Sequence, residues 1–146
     1  MHWELPAPFV IDITVDAAAI DDYSHVNNAE YLRWIEQISW AHSRHLGLDI
    51  NDYRRHDRAM AVHRHELDYL APAHVGECLQ LATWIVGCDG RLTLTRRFQL
   101  KRVSDACTLL RARTRFACIE LSSGRARRLP ATYVAIYGGA LVEETA

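Results

Sequence analysis

Asp21-Asp22-Tyr23-Ser24-His25-Val26-Asn27-Asn28 puts carboxylates, an imidazole and two side-chain amides within one short stretch. A carboxylate there can take a proton from water or attack an electrophilic carbon directly. An imidazole titrates near pH 6.5 and can assist. Immediately downstream, Tyr31, Trp34, Ile35, Ile38, Ala41 and Leu46 recur at close to the 3.6-residue helical period. The stretch therefore abuts a helix start, whose unpaired N–H groups and positive potential suit an oxygen acquiring negative charge. Asn27 is a good cap residue; if it accepts from the amide of residue 29 or 30, the Asn28 N–H stays free for a ligand carbonyl. Asp21, just upstream, then acts on the same carbonyl carbon. Read locally, Asp21-Asp22 is also a common turn pair, with Asp22 a solvated neighbour, and the alternative for His25 is a structural histidine that hydrogen-bonds the loop.

The eight histidines raise the question of a metal. His63 and His65 alternate along a strand pattern, and His42 and His45 lie about one helical turn apart. No nearby carboxylate or thiol completes a tetrahedral set, so no metal and no other cofactor is expected.

The elements that position these residues follow from period and punctuation. Phe9 to Val15 alternates after Pro8 and reads as a first strand. Asn27 and Glu30 form a capping-box pattern for a helix over about 28–46, with Arg44 and His45 in its last turn and Gly47 as its stop. A polar connection spans Asn51 to Arg58. Four more alternating stretches follow, over 61–70, 78–86, 92–103 and 106–121, broken at Pro72, Gly76, Asp89-Gly90, Ser104-Asp105 and Ser122-Ser123-Gly124. They read as strands joined in hairpins. Pro130 to Tyr137 is a candidate for a short terminal element. The outcome is an α+β class with one sheet packed on one helix, and with edges and a second face that call for a partner subunit.

Composition bounds the function. A length of 146 residues fits a single domain over 1–146. An apolar share of 49% excludes a disordered chain. Seventeen basic against eighteen acidic residues give a net charge of −1, so neither nucleic acid nor an anionic membrane is an expected partner. The N-terminus lacks a secretory pattern and the four cysteines form no C-x-x-C pair, which together predict a cytoplasmic protein with free thiols.

Asp-x-x-x-His-Val-Asn-Asn-x-x-Tyr, followed by Tyr69-Leu70-Ala71-Pro72-Ala73-x-x-Gly76, resembles the hotdog-fold thioesterases. These include acyl-CoA thioesterases like the 4-hydroxybenzoyl-CoA enzyme and the plant acyl-acyl-carrier-protein thioesterases. The likeness in element order covers about residues 9–130. It implies a hotdog fold, a five-stranded antiparallel sheet wrapped around one long central helix, and hydrolysis of an acyl thioester. The substrate it implies is an acyl-CoA, or else an acyl carrier protein conjugate. By the same resemblance Asp21 is the catalytic carboxylate, as nucleophile or general base. His25 positions or activates water, and the Asn28 amide polarises the thioester carbonyl. Asn27 is a cap first and a substrate contact second, and Tyr31 continues the motif as a packing residue beside the substrate. His63, His65 and Glu66 fall on the strand that hotdog dimers use at their interface, where they line a shared pocket in a homodimer or homotetramer. Arg125, Arg127 and Arg128 offer guanidinium forks for the phosphates of coenzyme A, or else form a solvated turn. Trp34, Ile35, Ile38 and Phe98 are candidates for an acyl slot.

Two departures stand out: Ser24 where many relatives have glycine, and Ala19 where many have a second acid. Hydratases of the same fold resemble Asp-x-Asn-Pro-x-His, a spacing of five that Asp21 and His25, four apart, do not match. A non-catalytic acyl-CoA-binding oligomer is the alternative to hydrolysis.

Overall fold

The computed structural model describes residues 1–144. Strand β1 (Phe9–Thr14) leads through a short 3₁₀ turn, Ala17–Ala19, into helix α1 (Asn28–His45). Helix α2 (Ile50–Arg55) follows, then β2 (Arg58–Tyr69), β3 (Cys78–Cys88), β4 (Thr93–Arg102), β5 (Thr108–Glu120) and helix α3 (Ala131–Gly139). All four strand pairings are antiparallel, in the order β1-β3-β4-β5-β2. The sheet wraps α1 as the hotdog architecture requires.

Helix α1 forms where its apolar stripe predicts. Asn27 accepts from the Ala29 N–H at 2.9 Å, and Gly47, at φ +100°, ends the helix in the left-handed region. The expected capping box does not close: Glu30 lies 3.5 Å from Arg33 instead of reaching back. Tyr31, Trp34, Ile35 and Ile38 are buried against Leu79, Leu81, Phe98, Leu100, Leu109 and Leu110 of the sheet. At about 25 cal/mol per Å² of apolar area removed from water, this stripe anchors the helix better than its intrinsic propensity could.

Two further expectations change. Asn51 to Arg58 is not simply a connection, because α2 occupies most of it behind a reciprocal box in which Asp49 and Asp52 cap each other's backbone N–H groups. The second strand does not form a hairpin with the third: β2 pairs with β5 at the sheet edge, and residues 70–77 cross back to β3. The terminal element is the helix α3, whose Tyr133 and Tyr137 close a second core with Leu48, Tyr53, Ile85, Leu94 and Cys118. Asp89-Gly90 does make the predicted turn, with Asp89 Oδ1 accepting from the N–H groups of Arg91, Leu92 and Thr93. Among the described residues, no helix is long and apolar enough to cross a membrane.

Candidate active site

The motif loop is a closed turn. Asp21 N–H donates to the His25 carbonyl at 2.7 Å, and Ser24 N–H donates to the Asp21 carbonyl at 3.1 Å. The Asp21 Oδ1 accepts from the Tyr23 and His25 N–H groups at 2.9 and 3.2 Å. One carboxylate oxygen is thus committed to the loop, while Oδ2 has no protein donor among the described residues. Ser24 sits at φ +64°, the left-handed conformation that glycine adopts without a steric penalty. That backbone would suit a glycine, and serine there is strained.

The loop is pinned at both ends. Asn27 N–H donates to the Ala19 carbonyl at 2.7 Å, and Val26 N–H to the Ala73 carbonyl at 3.0 Å. With Asn27 capping Ala29, the Asn28 N–H at the first helical position has no partner among the described residues. Tyr69, at the end of β2, donates its hydroxyl to the Asn28 carbonyl at 3.2 Å, and its ring meets that of Tyr31 edge-on at 5.4 Å. Burial pushes the Tyr31 phenol up, with added repulsion from Tyr69, Glu77 and Asp21, whereas a backbone hydrogen bond with Ala73 pulls it down. Asp21, the helix start and Tyr69 therefore share one neighbourhood.

Three residues outside the predicted set join it. His74 meets the His25 ring edge-on at 5.2 Å. Its N–H donates to Glu77 Oε1 at 2.6 Å, and Arg102 approaches Glu77 Oε2 at 2.5 Å. Partial burial pushes the Glu77 carboxyl up, but the His74 N–H and the Arg102 guanidinium outweigh it and hold that carboxyl below its ordinary value. Tyr69, His74 and Glu77 all lie in or beside the second motif block, which was the available signal.

Between α1 and the sheet lies a cavity of about 300 Å³. Leu32, Ile35 and Trp40 of α1, Met60 and Val62 of β2, and Phe116 of β5 give it apolar walls. Its polar end holds Ser43, Tyr53, Arg96 and Tyr137. Of the proposed acyl slot, Ile35 lines this space; Trp34, Ile38 and Phe98 belong to the packed core. Arg96 alternates inward in β4 between Leu94 and Phe98.

His65 lines the cavity and its Nδ1 contacts Thr114 Oγ1 at 2.7 Å; burial pulls its pKa down, and Glu36 pulls it back up. His63 does not share that face. The β2–β5 register shifts between Val62 and Arg64, leaving His63 as the bulged residue, so Val62 and His65 both border the cavity while Arg64 and Glu66 border an outer groove. The paired arrangement expected of His63 and His65 is broken by this bulge. Helix residues His42 and His45 both meet the Phe9 ring, and His42 Nδ1 accepts from Arg96 at 2.7 Å.

Arg125, Arg127 and Arg128 do not meet the motif loop within one chain. Arg127 pairs with Glu120, and the Arg128 carbonyl accepts from Arg58 at 3.0 Å, at the first residue of β2. Tyr69, at the last residue of that twelve-residue strand, holds the helix start. The two ends are about 35 Å apart at the usual strand rise.

The chain is similar to known proteins. The Escherichia coli (strain K12) long-chain acyl-CoA thioesterase FadM is 28% identical over 128 residues, covering 80% of this chain and 87% of that protein. The structure of the Synechocystis 1,4-dihydroxy-2-naphthoyl-CoA thioesterase superposes with a TM-score of 0.81 at 20% identity, over 90% of this chain and 96% of that one. Protein SAV2348 of Staphylococcus aureus, solved in complex with CoA, superposes at 0.84 with 17% identity, over 100% of this chain and 93% of that one. Residues 15–136 match the model of the thioesterase-like superfamily, and the chain belongs to that family.

Proposed function

We propose that this member of the thioesterase-like superfamily hydrolyses acyl-CoA to the free acid and coenzyme A. Asp21 is the base or the nucleophile, the Asn28 amide is the oxyanion donor, and His25 assists through water. The observation that carries this reading is the motif turn. Backbone N–H groups hold one Asp21 oxygen and leave the other open, beside a helix start whose first amide has no partner among the described residues. In the general-base route Asp21 takes a proton from water as the oxygen adds to the thioester carbon. The developing oxyanion is held by the Asn28 N–H, the C–S bond then breaks, and the thiolate leaves and is reprotonated. In the nucleophilic route the open oxygen adds to the thioester carbon, the C–S bond breaks and the CoA thiolate leaves and is protonated, and water then cleaves the acyl-Asp21 anhydride to the free acid and Asp21. The E. coli relative's name and the CoA-bound structure support coenzyme A as the carrier.

The working unit is a single domain over 1–146 assembled as a homodimer or homotetramer. Strand β2 ends the sheet, and its stretch 62–66 is exposed, which suits edge pairing with a second copy. An antiparallel pairing there brings the Arg125–Arg128 turn of one subunit toward the motif loop of the other, within reach of coenzyme A phosphates. Four free cysteines support a reducing, cytoplasmic setting.

Thiol release over acyl-CoAs of increasing length, compared between wild type and Asp21→Asn, tests the mechanism. The amide oxygen of the variant still accepts from Tyr23 and His25, so the loop persists while the charge is lost, and turnover falls by about 100-fold or more. Equal turnover removes Asp21 from the reaction. Tight binding of acyl-CoA with no thiol release would identify a binding oligomer instead.

A further inference from the structure

The inner end of the cavity holds a cation with no anion beside it among the described residues. Arg96 is 2% exposed. Its guanidinium donates to His42 Nδ1 at 2.7 Å and to Ser43 Oγ at 3.0 Å. Ser43 Oγ is 3.0 Å from the Tyr137 hydroxyl, which is itself 2.6 Å from that of Tyr53. Every one of these partners is neutral. Burial, followed by the charge of Arg96, pulls the His42 pKa down to about 3, and burial raises the Tyr53 phenol far above its ordinary value. Burial draws Arg96 itself down only to about 10, so it stays cationic at neutral pH.

Among the described residues no carboxylate pairs with Arg96, although ten arginine–carboxylate pairs occur elsewhere. The acid on the cavity wall, Glu36, is on the exposed side of α1 and acts on His65. A buried ion without a counter-charge is costly, and neutral side chains could brace the same helix and strand. A guanidinium fork fits a carboxylate.

We propose that the acyl pocket is built for a chain whose far end carries a carboxylate: the CoA thioester of a dicarboxylic acid, with its free carboxylate on Arg96. This deepens the hydrolytic reading and rests on it for the position of the thioester at the helix start. The cavity follows α1 from Leu32 to Ser43, about 16 Å at the helical rise, so the preferred acyl group is an extended one.

The test is a paired series of monocarboxylic and α,ω-dicarboxylic acyl-CoAs of matched length, from about 6 to about 16 carbons, the span set by the helical rise. Thiol release gives kcat/KM for the intact wild-type protein, for Arg96→Met and for Arg96→Lys. At the length that reaches Arg96, the dicarboxylic ester exceeds its partner by about tenfold or more, as one charged hydrogen bond supplies. Arg96→Met inverts that preference and Arg96→Lys keeps part of it. If the monocarboxylic ester does as well at every length in the wild type, the proposal is overturned, whether or not Arg96→Met folds. Should the wild type release no thiol from any ester, the hydrolytic reading fails separately. Calorimetric binding of the same pairs then decides the pocket: tighter dicarboxylic binding sustains the proposal, and equal binding ends it.

Discussion

Acidification from pH 7 to about 4.5 is expected to cost the folded protein about 3 kcal/mol through one side chain, His42. Its ring is buried, stacked on Phe9 at 4.9 Å, and its Nδ1 is occupied as an acceptor of the Arg96 guanidinium. Burial first, then the charge of Arg96 and then His45, lower its pKa from 6.5 to about 3. The unfolded chain therefore takes up the proton before the folded one does. The stability linked to this group is complete above about pH 6.5 and drains away as pH falls toward about 3, by about 1.4 kcal/mol per unit. Two units, from 6.5 to 4.5, give about 3 kcal/mol. Stopping there leaves out Asp89, whose carboxyl, raised by burial but lowered more by three backbone N–H groups, sits at about 2 and loses its contribution only below its ordinary value of 3.8. Urea unfolding of wild type and His42→Asn at several pH values isolates the effect, because asparagine retains an acceptor near Nδ1 but does not titrate. The variant starts less stable, and the gap to wild type shrinks by about 1.4 kcal/mol per pH unit below 6.5. Parallel curves for the two proteins would refute a neutral His42 beside a buried cation.

Removing the helix cap with Asn27→Ala lowers unfolding free energy by about 1 kcal/mol, and the same variant loses thiol-release activity because the first turn no longer presents the Asn28 amide in place. Ser24→Gly is at least as stable as wild type in thermal unfolding, whereas Ser24→Val, a β-branched residue forced to φ +64°, loses about 1–2 kcal/mol. A Ser24→Val protein as stable as Ser24→Gly would show that the turn is not held in the left-handed region.

The parts of this molecule that were legible are those whose instructions are local. The alternation of Phe9, Ile11 and Ile13 and the helical stripe from Tyr31 to Ile38 specify β1 and α1 by themselves, and Asn27 and Gly47 mark the helix ends. Helix α2 escaped because six residues, mostly polar, carry no readable period; its one cue was the Asp49–Asp52 pair, with aspartate in the place where glutamate or glutamine is usual. The pairing of β2 with β5 was hidden because hairpin signals speak only for neighbours in sequence, while edge pairing is decided by which strands remain free once β3, β4 and β5 have joined. In the site, the Asp21–Asn28 turn was legible from its motif. The convergence of Tyr69, His74 and Glu77 on it depends on a crossing connection more than forty residues away. Arg96 alternates inward in β4, but a lone arginine in a strand reads as outward-facing until a cavity is seen behind it.

The clamp of residues 69–77 on the motif turn also has a kinetic meaning. Val26 is tied to Ala73, Val15 to Gly76 and Glu77, and the helix start to Tyr69, so each tie closes a long loop of chain. Loops of that length close late, after local helix and hairpins have formed, since their entropy cost precedes any gain from contact. On refolding from denaturant, far-ultraviolet ellipticity therefore returns ahead of turnover: a chain can regain most of its secondary structure while its motif turn is still unmade.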